Sequence, residues 1–177
     1  LLQLLEQGHS VKTLVRPGSD RRNFKGLDIE LLEGDLRDVD SIRTAVRDCQ
    51  QIYHLAADYR LWIPDPETMY RINVDATRDL VETGCENGVE KIVYTSSVAT
   101  LGLNGDGSPS DESTPVSLEQ MFGHYKRSKY LAEEEVKRLV RERQYPVTIV
   151  NPSTPVGPGD IKPTPTGRIV LDTIRNR

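Results

Sequence analysis

The sequence of 177 residues is poor in the side chains that build disulfide frameworks and metal centres. Its two cysteines, Cys49 and Cys85, are far apart and form no CxxC pair. The histidines are also few, and His9, His54 and His124 are scattered along the chain. The sequence therefore predicts reduced thiols, as is typical of a cytoplasmic protein, and no metal site.

Long apolar runs and a strong excess of one charge are missing as well. No apolar run approaches the roughly 18 residues that a membrane-spanning helix needs, so we expect no membrane span. The formal net charge of -4 at pH 7 offers no basic surface for a nucleic acid or an anionic membrane. With 36% hydrophobic and 28% charged residues, the composition is typical of one folded domain.

Both ends of the sequence have the pattern of an interrupted helix. Residues 1–7 are amphipathic and are followed by Gly8, a typical helix C-cap. No initiator Met and no basic segment of a signal peptide precede them. Residues 169–177 are also helix-like. We interpret the chain as a fragment truncated on both sides.

Strand patterns and helix patterns alternate along the chain. The predicted strands are residues 11–15, 29–32, 52–57, 91–95 and 147–150. The predicted helices between the ends are residues 39–46, 65–87 and 123–143. This alternation predicts an α/β fold with a doubly wound parallel sheet. Two long loops, residues 101–122 and 151–167, each follow a strand, so we expect them at the carboxyl edge of the sheet, where ligands bind.

Tyr125 and Lys129 lie four residues apart in a predicted helix, so their side chains share one face. A nearby ammonium favours the phenolate and lowers the pKa of a tyrosine from its usual value of about 10. Such a tyrosine can exchange a proton with a substrate oxygen while hydride moves at the adjoining carbon. The alternative, a solvent-exposed helix face, is common for this spacing.

Hydroxyl groups end the strand before that helix, in Thr95-Ser96-Ser97. A serine at this edge could bind the same substrate oxygen as the tyrosine. Alternatively, Ser96 and Ser97 only satisfy backbone groups of the turn.

Small residues follow two earlier strands, in Gly34-Asp35-Leu36 and in Leu55-Ala56-Ala57. They let the main chain approach a flat ligand, although tight packing without a ligand is the alternative. Asn73 lies inside a predicted helix and is a mediocre helix former, which suits a buried hydrogen-bonding role; a surface position is the equal alternative.

Arg16 follows the first visible strand, with Arg21 and Arg22 close behind. At that position of a dinucleotide fold an acid binds the ribose 2′-hydroxyl, whereas an arginine suits a 2′-phosphate. The sequence therefore favours NADP(H) over NAD(H), unless Arg16 is only an exposed loop residue.

Taken together, these motifs resemble the extended short-chain dehydrogenases/reductases, the NAD-dependent epimerase/dehydratase family. The resemblance rests on Gly34-Asp35-Leu36, His54-Leu55-Ala56-Ala57, Asn73-Val74-Asp75-Ala76-Thr77, Val93-Tyr94-Thr95-Ser96-Ser97, Tyr125 through Lys129, and Asn151-Pro152 with Gly157-Pro158-Gly159. More narrowly, the chain is similar to the hopanoid-associated sugar epimerase and dihydroflavonol-4-reductase-like group. That similarity lies in Asp58-Tyr59-Arg60-Leu61-Trp62, in Ser96 through Gly102 and in Asn151 through Arg168.

The resemblance implies roles for individual residues. Ser97 would be the catalytic hydroxyl, Tyr125 the acid/base and Lys129 its partner. Residues implied to lie along the cofactor, besides Arg16, are Asp35, Leu36, Leu55, Ala56, Ala57, Asn73, Tyr125, Lys129, Pro152, Ser153 and Thr154. Tyr59 and Trp62 could face the substrate or could pack in an apolar cluster.

The chain also departs from the family pattern. The family's first strand and glycine-rich phosphate loop would precede Leu1, and the C-terminal substrate-binding region would follow Arg177. Residues 1–177 are therefore expected to form a partial NAD(P)-binding Rossmann domain with a gap in its sheet and weak dinucleotide binding. Asn151 stands where many relatives have an arginine, which argues against a specific expectation of a nucleotide-sugar substrate.

The resemblance implies NAD(P)-dependent hydride transfer at a carbonyl or alcohol carbon of a small-molecule or sugar substrate. The parent protein would be an epimerase or a carbonyl reductase, and it could form a homodimer. A non-catalytic dinucleotide-binding sensor on the same fold is the alternative. Because both Tyr125 and Lys129 are present, the sequence favours the enzyme.

Overall fold

The computed structural model describes residues 1–60 and 62–175. Leu61, part of one motif of the family resemblance, and the last two residues of the expected C-terminal helix lie outside the described residues. The chain divides into two compact units, Leu1–Glu33 with Ser153–Arg177 and Gly34–Pro152.

The first unit contains a short parallel ladder. Its elements are helix α1 (Leu2–Glu6), strand β1 (Lys12–Val15), strand β2 (Glu30–Glu33) and helix α6 (Pro165–Arg175). β1 pairs with β2 so that Lys12 lies beside Glu30 and Val15 beside Glu33. Within this unit the Asn23 side chain donates to the Gly159 carbonyl at 2.7 Å, which ties the two chain segments of the unit together.

The second unit is a three-stranded parallel sheet with crossover helices. Its strands are β3 (Gln51–His54), β4 (Lys91–Thr95) and β5 (Val147–Val150), and they pair in that order. Its helices are α2 (Val39–Val46), α3 (Pro66–Tyr70), α4 (Ala76–Glu86) and α5 (His124–Arg143). Because the strands are parallel, their carboxyl ends meet at one edge.

The helix ends follow the local chemistry of the sequence. Asp38 caps α2 by accepting from the backbone N–H groups of Asp40 and Ser41, and Asp65 caps α3 ahead of Pro66. The chain leaves α4 through Gly88, whose φ of 83° lies in the left-handed region that glycine tolerates.

The core of the second unit lies between α4, α5 and the sheet. Val81 of α4, Ile92 of β4 and Val136 of α5 are all fully buried there. Burying one such side chain stabilises the fold by about 1.5–3 kcal/mol. This packing fixes α5, and with it the position of Tyr125 and Lys129 along the sheet.

Most elements agree with the sequence-based prediction to within one residue, although α6 begins at Pro165 and not at residue 169. Two further differences lie near the carboxyl edge. The predicted strand over residues 52–57 ends at His54, so Leu55–Ala57 lie in the loop. The predicted helix over residues 65–87 is interrupted by a π-helical segment, Arg71–Asp75. Both differences arise where the chain makes side-chain hydrogen bonds that periodicity does not reveal.

The described strands form two separate sheets, β1-β2 in the first unit and β3-β4-β5 in the second. Across residues 1–60 and 62–175, no helix has the length and apolar character needed to cross a membrane. Within the same ranges, no three His, Cys, Asp or Glu side chains are grouped so that they could hold a metal ion.

Candidate active site

A cleft of about 380 Å³ opens at the carboxyl ends of β3 and β4. Three chain segments line it: the loop after β3, the end of β4 and the first two turns of α5. The lining residues are Leu55, Ala56, Ala57, Tyr59, Thr95, Ser96, Tyr125 and Lys129. The structure therefore brings together the tyrosine, the lysine and the Leu55–Ala57 segment that the sequence separates by up to 74 positions, from 55 to 129.

Lys129 is almost completely buried, with 2% of its surface exposed. Its ammonium donates to the Tyr94 hydroxyl at 3.0 Å and to the Thr95 carbonyl at 2.8 Å. Burial lowers its pKa to about 8, against the opposing effect of the Glu133 carboxylate. An ammonium has three N–H groups, so one more remains for a group in the cleft.

Two uncharged aromatic side chains, Tyr94 and His54, pack beside the Lys129 ammonium. Their rings stack at 5.6 Å between centroids, and the ammonium lies 4.6 Å from the Tyr94 ring centre. Burial and the nearby Glu133 raise the pKa of Tyr94, so its phenol keeps its proton. Burial and the Lys129 charge lower the pKa of His54 to about 3, and the ring nitrogen Nε2 lies 2.9 Å from the Thr77 hydroxyl. His54 is therefore a neutral structural imidazole at physiological pH.

Tyr125 is half-buried in the first turn of α5. The helix begins after Gly123, whose φ of 80° requires the left-handed region. The preceding residue of the helix, His124, is held by Tyr70, whose hydroxyl lies 3.2 Å from the ring nitrogen Nδ1. The start of α5 is thus attached to α3, which orients the turn that carries Tyr125.

The two serines after β4 have different partners. Ser96 is buried, lines the cleft and donates to the Glu133 carboxylate. Ser97, the predicted catalytic serine, is half-buried and is not among the residues that line the cleft; its hydroxyl accepts from the Ala99 backbone N–H at 3.1 Å. Ser97 thus satisfies one backbone group of the turn, which was the alternative role expected from the sequence. In this bond the Ser97 hydroxyl is the acceptor, so its own proton is not used.

Asn73 lies in the π-helical segment and is 1% exposed. Its carbonyl oxygen accepts from the Asp58 backbone N–H at 2.7 Å, and its amide donates to the Asp58 carbonyl and the Ser128 hydroxyl, each at 2.9 Å. Of the two positions that the sequence left open for Asn73, the structure shows the buried one. Both amide protons are bonded to protein groups. Asn73 therefore connects the loop after β3 to α5, and it does not itself line the cleft.

We expect Asn73→Ala to lower the free energy of unfolding by about 2–3 kcal/mol, because it removes three buried hydrogen bonds, two to the Asp58 main chain and one to the Ser128 hydroxyl. Denaturant unfolding of the whole protein measures this. Asn104→Ala, in a loop where the amide makes only exposed contacts, is the control and should change stability by less than about 0.5 kcal/mol. Equal stability of the two variants would contradict the assignment.

Asp35 and Leu36, expected along the cofactor, have protein contacts of their own. The Asp35 carboxylate accepts from the backbone N–H and guanidinium of Arg37. Leu36 packs, half-buried, against the cluster that contains Ile42 and Val46. Both residues follow β2 as predicted, but neither lines the cleft of the second unit.

The two aromatic residues expected near the substrate differ. Tyr59 lines the cleft and is 44% exposed. Trp62 is 79% exposed and does not line the cleft, so the structure does not show the apolar packing that was one of its two expected roles.

Arg16 is exposed at the end of β1, and among the described residues no side chain forms an ion pair with its guanidinium. Arg21 is paired with Glu33, and Arg22 is paired with Asp20. Arg16 therefore differs from its two neighbours in having its charge available.

The remaining expected cofactor residues follow β5. Pro152, Ser153 and Thr154 are exposed, and the Pro152 carbonyl accepts from the Val98 backbone N–H at 3.1 Å. This bond joins the exit of β5 to the turn after Ser97.

Sequence patterns do not reveal the buried partners of the active-site candidates, namely Tyr94, Thr77, Ser128 and Glu133. A signal existed for Glu133, since it continues the four-residue spacing of Tyr125 and Lys129 along α5. No periodic signal marks Tyr94 or Thr77, which look like ordinary strand and helix residues.

The family model described as "NAD dependent epimerase/dehydratase family" matches residues 1–177. The chain belongs to this family. The fold class expected from the sequence, a Rossmann-like α/β fold, is confirmed, and so is the family resemblance.

Three relatives illustrate the similarity. The protein in the crystal structure of gox2253 is 58% identical in sequence to this chain. The two structures match with a TM-score of 0.90, over 97% of this chain and 52% of that one. A Synechocystis sp. protein that bears the provisional name dihydroflavonol 4-reductase is 47% identical over 98% of this chain and 50% of its own length. Sterol demethylase protein B of Methylococcus capsulatus is 37% identical over 98% of this chain and 52% of its own length. The chain thus spans about half the length of the relatives it matches.

Proposed function

We propose that the whole protein transfers hydride between a nicotinamide dinucleotide and a carbonyl or alcohol carbon, with Tyr125 as acid/base. The observation that carries this proposal is the cleft that joins Tyr125 and the buried ammonium of Lys129 to the small-residue wall Leu55–Ala57. Membership of an NAD-dependent family supports the same chemistry.

The residues of the cleft fit a flat, mostly apolar ring. Leu55 is 71% exposed, and the alanines after it present little side chain, so the main chain can approach a ligand closely. When bound, a nicotinamide ring supplies or accepts the hydride. Leu55, Ala56 and Ala57 would hold one side of it, and Lys129 would offer its remaining N–H to a cofactor hydroxyl.

The proton steps belong to this chain's own side chains. The Tyr125 phenol gives a proton to the substrate oxygen in reduction, and the Tyr125 phenolate takes one in oxidation. The positive charge of Lys129 stabilises the phenolate that remains after the proton leaves. By the family resemblance, the Ser97 hydroxyl, on the turn directly after the cleft-lining Ser96, would donate to the same substrate oxygen and orient it. Asn73 holds both walls of the cleft in place through Asp58 and Ser128.

Two reaction outcomes use the same three groups. A carbonyl reductase consumes NADPH in proportion to product, whereas an epimerase returns the hydride to its substrate and consumes none. We therefore propose assaying the whole protein against a panel of carbonyl compounds and sugar nucleotides, with both NADPH absorbance and product stereochemistry measured. Turnover of neither kind, together with dinucleotide binding, would favour a non-catalytic sensor instead.

We also propose NADP(H) as the preferred cofactor, with Arg16 binding the 2′-phosphate. The exposed guanidinium of Arg16, which forms no ion pair with any residue in 1–60 or 62–175, supports this, because Arg21 and Arg22 are already paired with acids. An arginine at this position binds phosphate through a planar pair of N–H donors.

We expect Arg16→Ala to weaken NADPH binding by the whole protein about 10-fold to 100-fold, because a charge-assisted bond contributes about 1.5–3 kcal/mol. NADH binding should change less than about twofold, since NADH lacks the 2′-phosphate. Calorimetric titration with each dinucleotide measures both. Arg22→Ala is the control, and an equal loss for NADPH and NADH in Arg16→Ala would refute the assignment.

A further inference from the structure

The buried carboxylate of Glu133 lies one turn beyond Lys129 on α5 and is 5% exposed. One of its oxygens, Oε2, accepts from the Ser96 hydroxyl, from the Thr100 hydroxyl at 2.8 Å and from the Asn151 amide at 2.9 Å. Oxygen Oε1 lies 2.8 Å from the Lys137 ammonium. One side chain thus bonds to the exit of β4, the exit of β5 and its own helix.

The same partners contact the main chain of Ser97. The Asn151 amide has two protons, so it bonds Glu133 and also the Ser97 carbonyl, which lies 3.2 Å away. The Thr100 hydroxyl lies 2.7 Å from the same carbonyl and shares its single proton between that carbonyl and Glu133. Through these two residues Glu133 attaches the Ser97 turn to the helix that carries Tyr125. The relative position of the two hydroxyl groups therefore depends on Glu133.

The negative charge of Glu133 also raises the pKa of Lys129, against the effect of burial. The other titratable groups around that ammonium are Tyr94 on β4 and His54 on β3, both neutral, together with Tyr125 on α5. Burial opposes the charge of Glu133, but the bonds from Lys137, Ser96, Thr100 and Asn151 outweigh it and hold its pKa below the usual range. Glu133 is therefore ionised wherever Lys129 titrates.

We propose that Glu133 is a positioning residue of this site: its buried carboxylate anchors the Ser97 turn to α5 and places a negative charge one helical turn from the Lys129 ammonium. The role deepens the proposed hydride-transfer function, which it assumes, but the charge on Lys129 can be measured without any substrate.

The test is the titration of Lys129 in the whole protein labelled with ¹³Cε-lysine and followed by NMR, with Lys129→Met used to assign the resonance. Glu133→Gln keeps the size and a carbonyl acceptor but removes the charge. We expect it to lower the Lys129 midpoint by about one pH unit. Glu142→Gln, an exposed charge on the same helix, should leave the midpoint unchanged.

A Lys129 midpoint in Glu133→Gln equal to that of the wild type would overturn the proposal. If Glu133→Gln does not fold, the wild-type protein still decides. Its Lys129 resonance should show a second, small step at the acidic pH where a ¹³Cδ-glutamate resonance reports protonation of Glu133. The absence of that step would overturn the proposal equally.

Activity gives a separate readout that a merely structural role would not move. In Glu133→Gln the alkaline limb of the kcat profile should shift to lower pH by the same amount as the Lys129 midpoint, while Glu133→Asp, which retains the charge, should keep the wild-type limb. A shifted Lys129 midpoint in a protein that turns over none of the panel compounds would support the role of Glu133 and reject the proposed function.

Discussion

Tyr125→Phe should reduce kcat of the whole protein by about 10²- to 10⁴-fold, the range for loss of a positioned acid/base. The substitution removes only the hydroxyl, and the ring that lines the cleft remains. Binding of NADPH should therefore change less than about twofold. Steady-state kinetics with any active panel compound and calorimetric titration with NADPH measure the two effects.

The matched control for Tyr125 is Tyr53→Phe. Tyr53 is also a partly exposed tyrosine, but its hydroxyl bonds to Gln51 on the outer part of β3. We expect this variant to retain wild-type turnover. Equal turnover of Tyr125→Phe and Tyr53→Phe would reject Tyr125 as the acid/base.

Lys129→Met should reduce kcat at pH 7 by about 10²-fold or more, because the ammonium that stabilises the phenolate is lost. Methionine has a similar length and suits the buried position, although the bonds to Tyr94 and Thr95 disappear. Lys126→Met, which removes an exposed charge from the same turn of α5, is the control and should stay near wild-type activity.

The pH dependence of the wild-type protein tests the same residue. Burial lowers the pKa of Lys129 to about 8, so the ammonium keeps its proton below that pH and loses it above. Turnover that needs the cation should be present at pH 7 and fall about tenfold per unit as pH rises beyond about 8. The residual activity of Lys129→Met should lack this limb. An identical limb in both proteins would assign it to another group.

The regular elements of this chain were predictable because each depends on neighbouring residues. The β4 strand, the β5 strand and α2 have the predicted limits, since apolar runs and the Asp38 cap define them locally. The end of β3 and the π-helical segment were not predicted. Both depend on the bonds between Asn73 and Asp58, which are 15 residues apart in sequence.

The candidate site was predictable as a set of residues and not as a set of contacts. Tyr125, Lys129 and Leu55–Ala57 were expected in one cleft and share one. Asn73 was expected beside the cofactor, but its amide protons are bonded to Asp58 and Ser128. Which of two adjacent serines lines the cleft could not be read from the sequence, because it depends on the buried Glu133.

By itself, the sequence determined the α/β class, the parallel arrangement and the family, because periodicity and motif spacing are properties of the chain read in order. Only the tertiary structure decided the protonation of Lys129 and His54 and the partners of Asn73 and Glu133. Burial and hydrogen bonds between distant segments set these, and neither exists until the helices pack on the sheet.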